Sequence, residues 1–316
     1  MKNTVSIILV LSMLVCLFGF SSCNTDNAAD QPIDTSENTS TDAPTDLTDA
    51  PTDSTDKPTE ATDKPSGEPE ADKKYRVLFI GNSFTFYNNM PMTFAQICKA
   101  AGINVEVKSI TNGGHKLEEF ADVNDEYGDK VYDELNRGEK YDYVILQEQS
   151  GRPISNPASF YDGARDLATL VNANGAELWF YQTWGYKEGY SKLPTHGGTT
   201  EIMELKLRAA YDAIASEVGA GVAHVGIAMY DLHSNDEFTP NLYNSDLYHP
   251  SEYGSALAAW TIFASIFEID PMTVDFDGGI DKKELEMIKD AAYYAAFAPQ
   301  PVPDDYKVKS EGVTKK

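Results

Sequence analysis

The chain has 316 residues, with 25 Lys and Arg against 50 Asp and Glu and a formal net charge of −25. An acidic balance with scattered basic residues argues against nucleic acid as a partner. Of its three cysteines, only Cys98 falls in the foldable region, so no internal disulfide framework is expected.

Residues 1–22 carry Lys2, an apolar run from Val5 to Phe20, and small Ser21-Ser22 before Cys23. That is the layout of a secretory signal segment, and the run is short for a transmembrane helix. Ser21-Ser22-Cys23 resembles the lipobox of bacterial lipoproteins, with Phe20 in place of the usual aliphatic residue. The resemblance implies cleavage before Cys23, lipidation of its thiol, and a membrane-anchored cell-surface lipoprotein with its domain outside the cytoplasm. Residues 23–72 are rich in Thr, Asp and Pro, with a Thr-Asp-x-Pro repeat beginning at Thr41, Thr48, Thr55 and Thr62. Fourteen acids and two lysines give this segment −12 of the total charge. With so few large apolar side chains it is expected to stay a disordered, self-repelling tether.

The remaining residues, 73–316, suffice for one domain with a single core. Apolar runs at 76–80, 104–110, 143–147, 177–182 and 221–225 read as strands. Helical patterns lie between them near 90–101, 127–137, 156–173 and 201–218. Another helix is expected after Pro250, running toward Phe267, and one more over 284–297. Strands that are apolar throughout imply a parallel sheet covered on both faces. The predicted fold is therefore α/β, a three-layer α/β/α sandwich on a five-stranded parallel sheet. Prolines and Lys-rich polar residues near the end predict poor order after about Asp305.

Ligands in such folds sit at the carboxyl ends of the strands. Gly81-Asn82-Ser83 follows the first strand, Asn112-Gly113-Gly114 the second, and Gln147 closes the third. Far downstream, Asp246-Leu247-Tyr248-His249 places an acid and an imidazole three residues apart before a helix. A serine needs a base to become a nucleophile, and the base needs a carboxylate to hold its ring. These segments supply all three groups.

In this set of blocks the chain resembles the SGNH hydrolase superfamily, the GDSL-type lipases and esterases, over residues 75–267. The resemblance implies Ser83 as nucleophile, His249 as base and Asp246 as the acid that orients it. It further implies an oxyanion hole from Ser83, Gly114 and a third-block amide. Two departures stand out: Asn82 replaces the acid of Gly-Asp-Ser, and Leu146-Gln147-Glu148-Gln149-Ser150 replaces Gly-x-Asn-Asp. A Gln amide has the donors of Asn on a stem one methylene longer. Gln147 is preferred for the oxyanion, with Gln149 as the alternative.

The expected function is a serine esterase acting through an acyl-enzyme on a small-molecule or glycan ester, best matched by O-acetyl groups on a carbohydrate. A non-catalytic carbohydrate-binding surface protein and an acyltransferase are the alternatives. His115, Trp184 and Tyr186 are expected to line the substrate site, the aromatics as a platform for a sugar ring. His196 reads as part of a mobile loop, His224 as a core or strand-end residue, and Asp231-Leu232-His233 as a surface contact. No metal-ligand spacing occurs, no cofactor is expected, and the protein reads as a monomer.

Overall fold

Successive residues of the first strand feed two different cores. Val77 and Phe79 join one apolar cluster, whereas Leu78 and Ile80 join another, because neighbouring side chains of a strand point to opposite faces. All four are buried, each stabilising the fold by about 1.5–3 kcal/mol. The third and fourth strands repeat the pattern: Ile145, Trp179 and Tyr181 face the first cluster, and Val144, Leu146, Leu178 and Phe180 the second. This explains the unalternating apolar runs.

The structure is a computed structural model and describes residues 69–70 and 73–315. The signal segment, Cys23 and nearly all of the tether lie outside the described residues. In chain order the elements are β1 (Lys74–Gly81), α1 (Ser83–Phe86), α2 (Met90–Ala100), β2 (Asn104–Thr111), α3 (Leu117–Phe120), α4 (Glu126–Arg137), β3 (Tyr143–Leu146) and α5 (Arg152–Ser155). They continue with α6 (Pro157–Asn174), β4 (Glu177–Tyr181), α7 (Leu193–His196), α8 (Thr200–Val218), β5 (Gly221–Ala223), α9 (Val225–His233), α10 (Glu252–Phe267) and α11 (Lys282–Phe297).

The sheet is parallel throughout, in the order β2-β1-β3-β4-β5. One face is covered by α2, α9, α10 and α11, the other by α3, α4, α6 and α8. The expected three-layer α/β/α fold is therefore what the structure has. The strand order reverses between β1 and β3, and crevices at such switch points take ligands. Among the described residues, no helix is long and apolar enough to cross a membrane.

Local details differ from expectation at the margins. β5 stops at Ala223, because the backbone turns at His224 to cap α9. Pro250 precedes α10, as expected, and the helix is capped by Ser251 accepting from Gly254 N at 3.3 Å. The end of the chain is a larger correction. Ser310 is buried and its hydroxyl donates to Ala213 O at 3.0 Å. Arg165 donates to Ser310 O at 2.7 Å and Val313 O at 3.0 Å while paired with Glu217 at 2.6 Å. The residues after Asp305 thus lie fastened along α6 and α8. Composition could not show this, because the bonds are to backbone carbonyls, which every residue carries.

Arg165→Ala should release this strap, destabilise the domain by about 1–3 kcal/mol, and expose 307–315 to limited proteolysis. Intact protein under conditions that leave the parent uncut would contradict the fastening.

Candidate active site

The ends of β1, β2 and β3 meet at the switch point. Asn112 N donates to Gly81 O at 3.2 Å, and Gln147 N donates to Ile80 O at 2.9 Å. The chain then leaves β1 at Gly81, where a side chain has no room. A Cβ there would stand 2.4 Å from Thr85 Oγ1 and 2.8 Å from Gln147 Oε1.

Asn82 is buried and uses its whole amide. Its Nδ2 donates to His115 O at 2.9 Å, and its Oδ1 accepts from Phe84 N at 3.3 Å and Gln147 Nε2 at 3.1 Å. Its own N–H donates to Gln147 Oε1 at 2.9 Å. An ionised Asp could make the acceptor bonds but not the donor bond to His115 O, so Asn suits this turn. Ser83 then opens α1, and the N–H of a first helical residue has no intrahelical acceptor.

The downstream segment is held to the loop after β4, where Lys187 N donates to Leu247 O at 2.9 Å. His249 Nε2 lies 2.8 Å from Ser83 Oγ, and His249 Nδ1 lies 2.7 Å from Asp246 Oδ2. With Nδ1–H donating to the carboxylate, Nε2 is the ring atom free to accept from the hydroxyl. Asp246 also accepts from His249 N at 3.0 Å and Tyr248 N at 3.2 Å. Partial burial pushes its carboxyl upward, but these bonds outweigh it and hold the group below the ordinary carboxylate range. Leu247, at φ 69°, lets the four-residue turn close.

A cavity of about 340 Å³ lies over these groups, lined by Ser83, Gly113, Gly114, Gln149, Tyr87 and His249 among others. Gly114 has φ 70°, a conformation that favours glycine. The turn is closed by His115 N donating to Asn112 O at 3.2 Å, which leaves Gly114 N–H out of it. Among the described residues, no group of three or more His, Cys, Asp or Glu could hold a metal ion.

Four expected site residues are placed elsewhere. Gln147 is buried with its amide fully engaged: Oε1 accepts from Asn82 N and from Thr85 Oγ1 at 2.8 Å, and Nε2 donates to Asn82 Oδ1 and Glu148 O. It braces the turn and has no donor left for an oxyanion. Gln149 faces the cavity instead, its Nε2 donating to Ser150 Oγ at 2.7 Å. The His115 ring turns away, 2.9 Å from Asp125 and 3.1 Å from Asn112 Nδ2.

Trp184 is fully buried, stacked on Phe84 at 4.2 Å and donating Nε1 to Tyr248 O at 3.0 Å, so it supports the His249 turn from beneath. Tyr186 is also buried, its hydroxyl 2.8 Å from Ser150 Oγ. Besides Tyr248, the cavity is lined at its rim by Phe86, 42% exposed, and Tyr87. Their signal was available in the sequence, since an aromatic pair follows Ser83 within one helical turn. His196, expected in a mobile loop, ends α7 and packs buried against Tyr186. His224 and His233 pair with Asp212 and Glu188 at the protein surface.

No family model and no curated protein matches the chain. Among solved structures, it is 30% identical to a protein of Slackia heliotrinireducens assigned as an SGNH hydrolase. The match covers 60% of this chain and 98% of that one, with a TM-score of 0.54. The chain belongs to the SGNH hydrolases. A DUF4886 family protein from Bacteroides uniformis shares the fold, at 20% identity over 73% of this chain and 98% of its own, with a TM-score of 0.61. As an SGNH-type ester hydrolase, the protein is unusual in its third block, where an acid sits between the two glutamines.

That acid, Glu148, is wholly buried. Its carboxylate accepts from Gln149 N at 2.5 Å and Leu117 N at 3.3 Å. Burial pushes its pKa up to about 7, against the pull of those two bonds and of Arg152. The folded protein therefore keeps a proton that the unfolded chain loses between its ordinary value of 4.5 and about 7. Stability should fall as pH rises through that window, at a slope approaching ~1.4 kcal/mol per pH unit, and level off above it. Glu148→Gln should flatten this part of the curve. Urea unfolding of the two proteins at intervals from pH 4.5 to 8 checks it, and parallel curves would refute the assignment.

Proposed function

We propose that this SGNH hydrolase is a serine esterase that removes O-acetyl groups from a carbohydrate through an acyl-enzyme at Ser83. The hydrogen-bonded chain from Ser83 Oγ through His249 to Asp246 carries this reading. His249 Nε2 takes the hydroxyl proton as Ser83 Oγ attacks the ester carbonyl. Collapse of the tetrahedral intermediate expels the alcohol, which receives that proton from His249. Water, deprotonated by the same ring, then attacks the acyl-enzyme and releases the acid.

The oxyanion is held by the N–H groups of Ser83 and Gly114 and by the Gln149 amide. Gln149 stands where the cavity is, and its hydroxyl partner Ser150 is itself held by Tyr186. The substrate class follows from size and lining. A cavity of about 340 Å³ with polar Asn82, Gln149 and Ser150 on its walls suits a short acyl group. Exposed Phe86 at its rim offers a flat apolar face to a sugar ring. A lipid-anchored tether ending in this domain would hold the enzyme at the cell surface, where such glycans are met.

Ser83→Ala in the full-length chain should abolish release of nitrophenol from a short-chain ester and block labelling by a fluorophosphonate. Turnover at the parent rate would refute Ser83 as nucleophile. Acetate release from acetylated oligosaccharides tests the substrate, and preference for a long-chain ester would overturn it. The two glutamines should separate cleanly. Gln149→Ala should lower kcat by about 10²–10³, the usual cost of one oxyanion donor. Gln147→Ala should instead destabilise the fold by about 1–3 kcal/mol, since it strands the buried N–H of Asn82. Steady-state kinetics beside thermal unfolding distinguishes the two effects.

A further inference from the structure

The Tyr87 ring lies parallel to the His249 imidazole, with centroids 4.4 Å apart and an interplanar angle of 9°. The backbone that delivers it is strained. Asn88 and Asn89, directly after it, both adopt left-handed φ, at 51° and 56°. Asn tolerates that region better than most residues, yet two in succession are sparsely populated, and such strain clusters at functional sites. The strained turn is also tied to the segment that carries the histidine. Asn88 Nδ2 donates to Pro250 O at 3.1 Å and Ser255 Oγ at 2.9 Å, and Ser255 Oγ donates to Tyr87 O at 3.3 Å. Tyr87 and His249 are thereby fixed to one another through the start of α10.

We infer that Tyr87 is a positioning residue for His249, holding the imidazole by its face and stabilising the imidazolium that forms when Ser83 is deprotonated. The inference rests on the esterase reading above. The edges of the ring are already occupied by Asp246 at Nδ1 and Ser83 at Nε2. Tyr248 lies against it at 4.0 Å with a tilt of 37°, and Phe84 meets it edge-on. Tyr190 lies against Tyr248 in turn, with centroids 5.0 Å apart and a tilt of 33°. Among the described residues, Asp246 is the one carboxylate bonded to the ring and Tyr87 the one aromatic lying flat on it. The negative face of an aromatic ring attracts a cation far more than a neutral group. The ring is neutral before proton transfer and cationic during it, so the contact strengthens toward the transition state and acts on kcat.

A series at position 87 tests this on the full-length chain with a short-chain nitrophenyl ester. Tyr87→Leu should lower kcat about fivefold, roughly 1 kcal/mol at 1.36 kcal/mol per decade, with KM changed by less than about twofold. Tyr87→Phe and Tyr87→Trp, which keep a π face, should hold kcat near the parent value. Filling space alone would let Leu serve as well as Phe, so equal rates for the two overturn the proposal. A loss confined to KM overturns it too, assigning Tyr87 to substrate contact instead. Should Tyr87→Leu fail to fold, Tyr87→Met takes its place under the same criteria. Ser83→Ala run in parallel separates the two ideas. An inactive Ser83→Ala with a flat Tyr87 series removes this inference alone, whereas an active Ser83→Ala removes the esterase reading beneath it.

Discussion

The structure depends on a knot of two buried amides. Asn82 at the end of β1 and Gln147 at the end of β3 exchange bonds in both directions, Asn82 N to Gln147 Oε1 and Gln147 Nε2 to Asn82 Oδ1. Thr85 joins through its hydroxyl, which donates to Gln147 Oε1, and Asn82 Nδ2 donates to His115 O. An unpaired amide at such depth costs about 1–3 kcal/mol, so the three strand ends can meet only in the arrangement that satisfies every group. Ser83 is presented into the cavity as a consequence. Gly81 completes the constraint, because any Cβ would push Gln147 out of the knot.

The histidine arm is built on a different principle. Its residues belong to no strand, and it relies on a turn held at both ends. Asn244 N donates to His249 O at 2.8 Å, and Tyr243 and Pro250 form an antiparallel bridge. Trp184 and Lys187, on the loop after β4, bind the carbonyls of Tyr248 and Leu247. A large buried indole is thus engaged in supporting the turn, and that duty removes it from contact with substrate. Rigid support of this kind keeps Nε2 at hydrogen-bond distance from the hydroxyl before any ligand arrives, which is where positioned catalytic groups gain most.

The third block places two amides in different surroundings two residues apart. A Gln replaces the shorter amide expected after β3, reaches further, and is captured by the Asn82 turn. The next amide, Gln149, sits two residues on, with its backbone held by the buried Glu148 carboxylate. Glu148 thereby links the loop that carries Gln149 to the first residue of α3. A buried acid so poised couples the stability of this loop to pH near neutrality.

Much of this was legible in the residues themselves. Val77-Leu78-Phe79-Ile80 announces a strand covered on both faces, because only a sheet between two helical layers removes both sides from water. Gly81-Asn82-Ser83 and Asp246-x-x-His249 name a hydroxyl, an imidazole and a carboxylate, the three groups that the structure brings into one hydrogen-bonded chain. Other matters were decided only in three dimensions. Which of Gln147 and Gln149 faces the cavity depends on a partner 65 residues away, and nothing local distinguishes the two. Whether Trp184 is a platform or a support depends on what lies over it. The end of the chain packs through main-chain carbonyls that composition cannot reveal. Local sequence specifies period and chemistry, whereas burial and hydrogen-bond partnership belong to residues brought together from distant parts of the chain.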